Sequence, residues 1–378
     1  MSATIPRRHR STAWRGSPPP APPASRAARV ASLLVLLALV AAACGGASGS
    51  TTTATVTGTV GIGQGLRGPA GVEATVYARG LPNVSAFALD ARGRLWATTS
   101  AASDHRGDGV YLIPRAGAAP VKVISGLEGP LGLVWRGSRL YVTSLGRVDV
   151  FSGLKGTRFA ERKAVIVQPD GRGWNNGIVA LPNGRLAMGI SSACDHCASR
   201  TRWSATIVSF EPDGSDVRLY ASGIRAPFGL AYDPATGALL TSMNQRDDLG
   251  ARTPGDWLAL VREGQNWRFP GCYGRGGSAC RGVPKPLATL DKHAAAGGVA
   301  LVSGQLGSAV GRAALVSEWV RGVVERVPLR PSGSGYASAQ AVPLVTGFKH
   351  PLPVKLAADG ALLVGDWGSG KIYRIARV

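Results

Sequence analysis

A strand–turn–strand unit recurs along the chain, and its spacing constrains the fold more than any other feature. Each copy has an apolar strand, a turn with Asp, Asn, Ser or Gly, and a second strand of alternating apolar residues. The clear copies are SAFALDARGRLWATT (85–99), LGLVWRGSRLYVTS (131–144), NGIVALPNGRLAMGIS (176–191), FGLAYDPATGALLTSMN (228–244) and LPVKLAADGALLVGD (352–366). Turns such as Asn183-Gly184 favour hairpins, because both positions accept positive φ.

The turn glycines stand at positions 93, 137, 184, 237 and 360, with a weaker copy at Gly311. A repeat of about 40–50 residues with several strands per unit is typical of a β-propeller. Six copies therefore predict an all-β fold, a six-bladed β-propeller, whereas a β-sandwich would show no fixed repeat. Residues 72–80 and 371–378 are expected to share a blade and close the ring.

The N-terminal segment differs in composition from the repeat. Residues 7–29 carry six Arg and no acidic residue, and an apolar run (30–43) then leads into Cys44. This order is typical of a signal peptide, and the run is shorter than the roughly 20 residues of a membrane span. The sequence AAAC at its end resembles the lipobox of bacterial lipoproteins, which implies lipidation of Cys44. The alternative is an ordinary secretory signal with an incidental cysteine.

Three segments follow from this organisation. Residues 1–43 are predicted to be a lipoprotein signal peptide, residues 44–72 a flexible Gly/Ser/Thr-rich tether, and residues 73–378 the propeller. The predicted location is the outer face of the cytoplasmic membrane, where the lipid anchor makes the membrane a partner. The formal net charge is +21, but the arginines are scattered, which favours a basic surface beside anionic lipid headgroups and not a nucleic-acid partner.

Four further cysteines indicate disulfides in an exported chain. The simplest pairs are Cys194 with Cys197 and Cys272 with Cys280, although three pairings are formally possible. The motif CDHC follows a strand, whereas a redox CxxC motif normally opens a helix. The residue after it is Ala198, so it is not a c-type haem site, and a zinc site would need all four cysteines to meet across the fold.

Two long segments carry a resemblance to a known family. SGIRAPFGLAYDPATGALLTSMNQRDDLG (222–250) and PGDWLALVREGQNWRFPGCYG (254–274) look like the glucose/sorbosone dehydrogenase family, and PDGRGWNNG before the third hairpin resembles its sorbosone-type branch. The likeness covers about residues 75–378. It implies an exported six-bladed propeller that uses pyrroloquinoline quinone (PQQ) and calcium to oxidise a sugar hydroxyl or hydrated aldehyde by hydride transfer.

The resemblance also implies where the catalytic base should lie, and this chain departs from it there. The family's general-base His falls at Gly173, which has no side chain to accept a proton. Trp174 cannot replace it, because an indole N–H only donates. His196 lies beyond the second strand and is expected to be an exposed loop residue.

The resemblance implies a cofactor site in the late blades, where basic residues pair with the quinone's carboxylates. Arg225, Lys349, His350 and Lys355 are the candidates in this chain. His350 stands where Arg is expected, and Ala226 replaces the family's Asn beside Arg225. Fewer basic residues therefore remain than the family uses.

A cluster of oxygen ligands is predicted after the fourth hairpin. Asn244, Asp247, Asp248 and Asp256 are candidate calcium ligands, since Ca²⁺ prefers hard oxygen donors. The alternative is that Asp248 and Asp256 cap turns and pair with nearby arginines.

The tryptophans at 257, 267 and 319 are expected to pack between blades, although aromatic floors are common in sugar sites. Three functions remain open at this stage. The first is a PQQ-dependent sugar dehydrogenase, and the second is an inactive propeller that binds a saccharide, a lipid headgroup or a protein. The third is a lactonase-type hydrolase, which needs acidic and amide ligands for calcium in the centre of the channel.

Overall fold

The computed structural model describes residues 58–168, 174–198, 201–274 and 278–378. The predictions for the signal peptide, for Cys44, for the start of the tether and for Gly173 lie outside these residues. Within them the chain forms 29 strands and three short 3₁₀ turns at His105–Gly107, Gly250–Arg252 and Ser278–Cys280, with no α-helix. None of the described helical turns is long and apolar enough to cross a membrane.

Six sheets, here called blades I to VI, make up the fold. Three strands precede blade I in the chain: β1 (Val60–Gly63), β2 (Leu66–Gly68) and β3 (Val72–Ala78). Blade I consists of β4 (Val84–Leu89), β5 (Leu95–Thr99), β6 (Gly109–Ile113) and β7 (Val121–Ser125). Blade II consists of β8 (Gly132–Arg136), β9 (Arg139–Ser144), β10 (Arg147–Ser152) and β11 (Glu161–Val167).

Blades III and IV share an insertion. Blade III consists of β12 (Asn175–Ala180), β13 (Leu186–Ile190), β14 (Thr206–Phe210) and β15 (Arg218–Ser222). Blade IV consists of β16 (Ala226–Asp233), β17 (Ala238–Asn244), β18 (Gly255–Val261) and β20 (Ala288–Lys292). Between its last two strands, β19 (Gln265–Asn266) pairs in parallel with β15 of blade III, so the insertion ties the two blades together.

Blades V and VI complete the ring. Blade V consists of β21 (Ala296–Ser303), β22 (Arg312–Glu318), β23 (Val323–Pro328) and β26 (Val342–Thr346), with a hairpin of β24 (Pro331–Ser332) and β25 (Gly335–Tyr336) before its last strand. Blade VI consists of β27 (Pro351–Leu356), β28 (Leu362–Asp366) and β29 (Lys371–Arg377). Its fourth strand is β3 from the other end of the propeller, with Val72 opposite Arg377. The predicted closure of the ring is confirmed.

The turn glycines mark the six blades as predicted. Each lies between the first and second strands of its blade, and all six have φ between 57° and 89°. This is the left-handed region that glycine occupies with least strain. The six-bladed propeller is therefore confirmed.

The propeller begins earlier than predicted. Residues 44–72 were expected to be a tether, but β1 and β2 form a hairpin that extends blade V, with Arg67 opposite Thr346. Ile62 and Leu66 bury their side chains against blades V and VI. These apolar side chains make a strand pair out of a segment whose Gly-rich composition indicates a flexible linker.

The six inner strands, β4, β8, β12, β16, β21 and β27, contact one another in a closed ring. The second strand of each blade lies behind this ring between two neighbouring blades. It is therefore buried on both faces, as in β5 and β13, where every residue is buried. The repeat predicted second strands with alternating apolar residues; double burial explains why some, such as LAMGI (Leu186–Ile190), carry apolar or small residues at every position.

Hydrogen bonds between blades fasten the inner strands. The ladders from β12, β16, β21 and β27 to their partners are each interrupted by a bulge near the start of the inner strand. At each bulge a polar side chain of the preceding blade donates to a carbonyl: Thr143 to Asn176, Asn176 to Pro227, Ser242 to Gly297 and Ser317 to Leu352. A bulge leaves groups unpaired in its own sheet, and the neighbouring blade satisfies them.

We predict that Ser242→Ala lowers the free energy of unfolding by about 1–3 kcal/mol, the usual cost of leaving a buried polar group unpaired. The Ser242 hydroxyl donates to the Gly297 carbonyl and accepts from the Gly229 N–H, so its removal unpairs groups in two blades. Urea unfolding measures the change, with the turn variant Ser215→Ala as control. A change equal to that of the control contradicts this role.

Two glutamates are buried in blade V. Glu318 and Glu325 lie on the adjacent strands β22 and β23, and each has a carboxylate oxygen with no hydrogen-bond partner. Burial raises the pKa of Glu318 to about 7 and that of Glu325 to about 8, and Glu318 adds repulsion to the latter. Near neutral pH the folded state therefore holds protons that the unfolded chain has lost.

We predict that the propeller loses stability as pH rises from about 5 to about 8. Both pKa values lie above the ordinary value of 4.5, so each glutamate lowers the free energy of unfolding by up to about 1.4 kcal/mol per pH unit in this range. Glu325→Gln should flatten the upper part of the curve, whereas the exposed Glu73→Gln should not. Urea unfolding at several pH values measures both, and an unchanged slope in Glu325→Gln contradicts the assignment.

Candidate binding site at the channel mouth

The inner strands enclose a central channel of about 480 Å³. Among the described residues that line it, Lys355 carries the only charge, and no Asp, Glu or Asn is present. The acidic centre that a lactonase-type calcium site needs is therefore absent from this lining. Lys355 lies three residues beyond Leu352 on β27, roughly 10 Å further along the channel; its side chain is exposed to the channel space, and partial desolvation by the channel wall lowers its pKa. The structure thus separates Lys355 from the mouth, where a cofactor site was expected.

The channel mouth lies where the inner strands begin, and two adjoining cavities open there. One, of about 280 Å³, is an apolar cup lined mainly by Ala101, Leu131, Trp174, Phe228, Trp319, Leu352 and Trp367. The other, of about 410 Å³, is a polar pocket lined by Asn176, Ser191, Arg225, Asp247, Asp256 and His293 among others. The residues that line both cavities are Leu131, Trp174, Phe228, Asn244 and Ala295. The mouth therefore joins an aromatic wall to a polar one.

His350 orders two tryptophans of the cup. Its ring stacks on Trp319 with centroids 4.0 Å apart, and Trp319 meets Trp367 edge-on at 5.4 Å. His350 Nδ1 lies 3.0 Å from the Trp319 carbonyl oxygen, and Trp367 Nε1 donates to the Ser100 carbonyl. His350 was predicted to bind a cofactor carboxylate, but its Nδ1 is already engaged with the backbone carbonyl of Trp319.

The outcome for the other tryptophans is mixed. Trp257 and Trp267 are buried between blades, as expected. Trp319 was expected to pack in the same way, but it lines the mouth because it follows β22, at the end of the strand that faces the channel opening.

Trp174 is the exposed indole of the mouth, with 39% of its surface accessible. Its ring packs on Gly129, where an added Cβ would lie 2.7 Å from the ring and where φ is 56°. On another side is His105, with ring centroids 6.4 Å apart. His105 Nδ1 donates to the buried Asp108 at 2.7 Å, so the support of Trp174 is itself fixed.

The CDHC motif forms a disulfide loop beside the mouth. Cys194 pairs with Cys197 and Cys272 with Cys280, which confirms the simplest of the three pairings. His196 is exposed, as expected, and its Nε2 lies 3.0 Å from the Pro270 carbonyl oxygen. The loop therefore joins blade III to the insertion of blade IV.

Asp195, within this loop, accepts several hydrogen bonds from residues of blade IV and the segments beside it. Its carboxylate accepts from Arg225 Nη2 at 2.5 Å and from the backbone N–H groups of Asp247 and Asp248 at 2.9–3.1 Å. Its carbonyl accepts from Arg225 Nε at 2.8 Å. Arg225, which was predicted to bind the cofactor, lines the polar pocket, and its charge is paired with Asp195.

A histidine–aspartate pair lies across the polar pocket. His293 Nδ1 donates to Asp247 Oδ1 at 2.8 Å, and both side chains are about half exposed. His293 and Ala295 both have φ of 50°. Such conformations are strained for residues other than glycine and often occur at functional sites.

The four predicted calcium ligands have different surroundings. Asp248 forms two hydrogen bonds with Arg246, both at 2.6 Å, so the alternative expectation of an arginine partner holds for it. The buried Asp256 accepts backbone N–H groups of Gln245 and Ala296, and its burial raises its pKa to about 6. Asn244 Oδ1 is buried without a partner.

The calcium site stays a prediction. Asn244, Asp247 and Asp256 line the same pocket, whereas Asp248 does not. In the part of the chain that the structure describes, no three His, Cys, Asp or Glu residues are grouped so that they could hold a metal ion. Any calcium here would need ligands beyond the predicted acids.

Lys349 also lies apart from the two cavities. Its side chain is exposed and runs beside Gly368, and its backbone N–H donates to Asp366. Of the four predicted cofactor-binding residues, the structure brings only Arg225 to the wall of the mouth.

Sequence reasoning missed Asp195, His293, Trp174 and Trp367 as residues of the mouth. Asp195 lies within the CDHC motif, which was interpreted through its cysteines alone, and His293 lies outside the repeated strand–turn–strand units. A signal was available only for the tryptophans, since residues just before a first strand or just after a second strand of a blade face the mouth.

No protein-family model matches the chain, and no curated protein matches it in sequence. Solved structures do match. They include an iodide structure of the carbohydrate-active enzyme family AA12 from Trichoderma reesei, with a TM-score of 0.69 at 15% identity over 82% of this chain and 97% of that one. The holo PQQ domain of pyranose dehydrogenase from Coprinopsis cinerea has a TM-score of 0.67 at 17% identity, over 82% and 97%.

The PQQ-bound aldose sugar dehydrogenase from Streptomyces coelicolor has a TM-score of 0.64 at 20% identity, and the match covers 82% of this chain and 99% of that one. The neighbours thus include PQQ-dependent sugar dehydrogenases, as the sequence resemblance predicted. At these identities the likeness establishes the fold. The chain therefore has the six-bladed β-propeller fold that those sugar dehydrogenases share.

Proposed function

We propose that the channel mouth binds a neutral saccharide. The observation that carries the proposal is the pairing of an aromatic cup with a polar wall. The indoles of Trp174, Trp319 and Trp367 offer apolar faces to the C–H groups of a sugar ring. Beside them lie groups suited to hydroxyls, chiefly Arg225 and the His293–Asp247 pair.

The described residues do not fit a quinone cofactor with several carboxylates. Arg225 is the one Lys or Arg among the described residues that line the two cavities, and Asp195 already neutralises it. Asp247 and Asp256 add acidic groups to the same wall. A bound carboxylate would therefore meet paired and negative groups, which disfavours it.

Sugar oxidation is the second candidate function. The structural neighbours include PQQ-dependent sugar dehydrogenases. His293 also has the arrangement of a general base, because Asp247 orients its Nδ1–H and the imidazole lines the polar pocket. Such a reaction needs a hydride acceptor, and the described groups do not provide a cationic site for the quinone.

We predict that neutral mono- and disaccharides bind the purified propeller and change its tryptophan fluorescence. Trp174→Ala should weaken binding by about two- to tenfold, since aromatic contacts contribute roughly 0.5–1.5 kcal/mol beyond the area they bury. Calorimetric titration of both proteins measures the effect. Leu219→Ala, an exposed apolar residue on the outer strand of blade III, is the control.

A parallel titration with PQQ and Ca²⁺ separates the two candidates. Saccharide binding without sugar-dependent dye reduction supports the binding function. Dye reduction that is lost in His293→Gln supports oxidation and overturns the proposal that the mouth only binds. Failure to bind any saccharide in either form contradicts both.

We also propose that the chain is exported and lipid-anchored through Cys44. The two disulfides support an oxidising compartment. Cells given a labelled fatty acid should incorporate it into the wild-type chain and not into Cys44→Ser, which should appear in the soluble fraction. Equal labelling of the two chains would contradict the anchor.

A further inference from the structure

Among the described residues, the hydrogen bonds of the Asp195 carboxylate and carbonyl go to blade IV and the residues beside it, and they include some of the shortest polar contacts at the mouth. Its carboxylate and carbonyl together take two of the three nitrogens of the Arg225 guanidinium. Among the described residues, the remaining nitrogen, Nη1, has only a long contact of 3.5 Å, to the Asn244 carbonyl. Nη1 and the second N–H of Nη2 therefore keep donor capacity for a ligand in the polar pocket.

The charge of this wall depends on that pair. An unpaired guanidinium attracts carboxylates strongly, because its parallel N–H groups match both carboxylate oxygens. Asp195 occupies the Nε–Nη2 edge of the guanidinium, so a ligand carboxylate is excluded from that edge, and the pair carries no net charge. Asp247 and Asp256 add carboxyl groups to the same wall, and no further Lys or Arg among the described lining residues offsets them.

We propose that Asp195 is a specificity-determining residue that makes the mouth select neutral saccharides over acidic ones such as uronic acids. The inference rests on the proposed saccharide binding and adds its charge selectivity. Asp195 acts through Arg225: it neutralises the guanidinium and occupies its Nε–Nη2 edge, so the remaining N–H groups donate from an uncharged pair, which suits a hydroxyl.

The surrounding loop holds Asp195 in this position. The disulfide between Cys194 and Cys197 brackets it, and the backbone N–H groups of Asp247 and Asp248 fix its carboxylate. On the far side His196 lies against Pro270 and Tyr273. Because these anchors come from outside Arg225, Asp195 does not depend on the arginine for its place.

The test compares methyl glucoside with methyl glucuronide, which differ by one carboxylate, as ligands of the full propeller. The wild type should bind the glucoside at least about tenfold more tightly. Asp195→Asn keeps the shape and removes the charge, so the ratio of the two affinities should move at least about tenfold towards the glucuronide. Asp213→Asn, in an exposed turn of the same blade, should leave the ratio unchanged.

A purely structural role would give a different result. Damage to the mouth would weaken both ligands alike, and an unchanged ratio in a folded Asp195→Asn overturns the inference while leaving saccharide binding intact. Arg225→Gln provides a second measurement if Asp195→Asn does not fold. It leaves the charge of Asp195 without a cationic partner, so the ratio should move the opposite way, and a shift towards the glucuronide overturns the inference. If the wild type binds neither ligand, the proposed function itself fails.

Discussion

The hydrogen bonds from one blade to the bulged carbonyls of the next are the constraint on which the mouth depends. At each such junction an inner strand approaches its neighbour so closely that side chains do not fit. A Cβ at Gly229, for example, would lie 2.4 Å from the Gly297 carbonyl oxygen. Small residues allow the approach, and a hydroxyl or amide of the preceding blade satisfies the carbonyl.

This arrangement also places the functional groups. The bulges lie near the starts of the inner strands, which is the end that opens at the mouth. Arg225 and Ala295 immediately precede two bulged strands, so their positions follow from how the ring is fastened. The strained backbone at His293 and Ala295 is held in the same way, by a strand whose register the neighbouring blades determine.

The fold could be predicted from the sequence because its signals are local. A turn glycine with positive φ and its two flanking strands lie within about fifteen residues, so six copies were visible without tertiary information. The hairpin at Val60–Gly68 was not predicted because its composition is that of a flexible linker. It differs from a linker in the burial of Ile62 and Leu66. Its pairing partner, β26, is remote in the chain.

The site could be predicted only in part, because its hydrogen-bonded residue pairs are brought together by the closure of the propeller ring. Asp195 and Arg225 are 30 residues apart, and His293 and Asp247 are 46 apart. The sequence around each of these residues therefore does not indicate which residue it will pair with. Lys355 shows the opposite error. It is close in sequence to Lys349 and His350, and so was grouped with them, but its position further along β27 places it inside the channel and away from the mouth.

Whether this mouth only binds a ligand or also catalyses a reaction depends on its charged groups more than on its fold. A propeller scaffold presents the same strand ends whatever the chemistry, and function depends on the groups placed there. Here the one arginine on the described wall is neutralised by a carboxylate that a disulfide loop holds in place. That carboxylate would weaken the binding of an anion, whereas a neutral ligand, as proposed, would gain from it, because the arginine then donates without attracting competing anions.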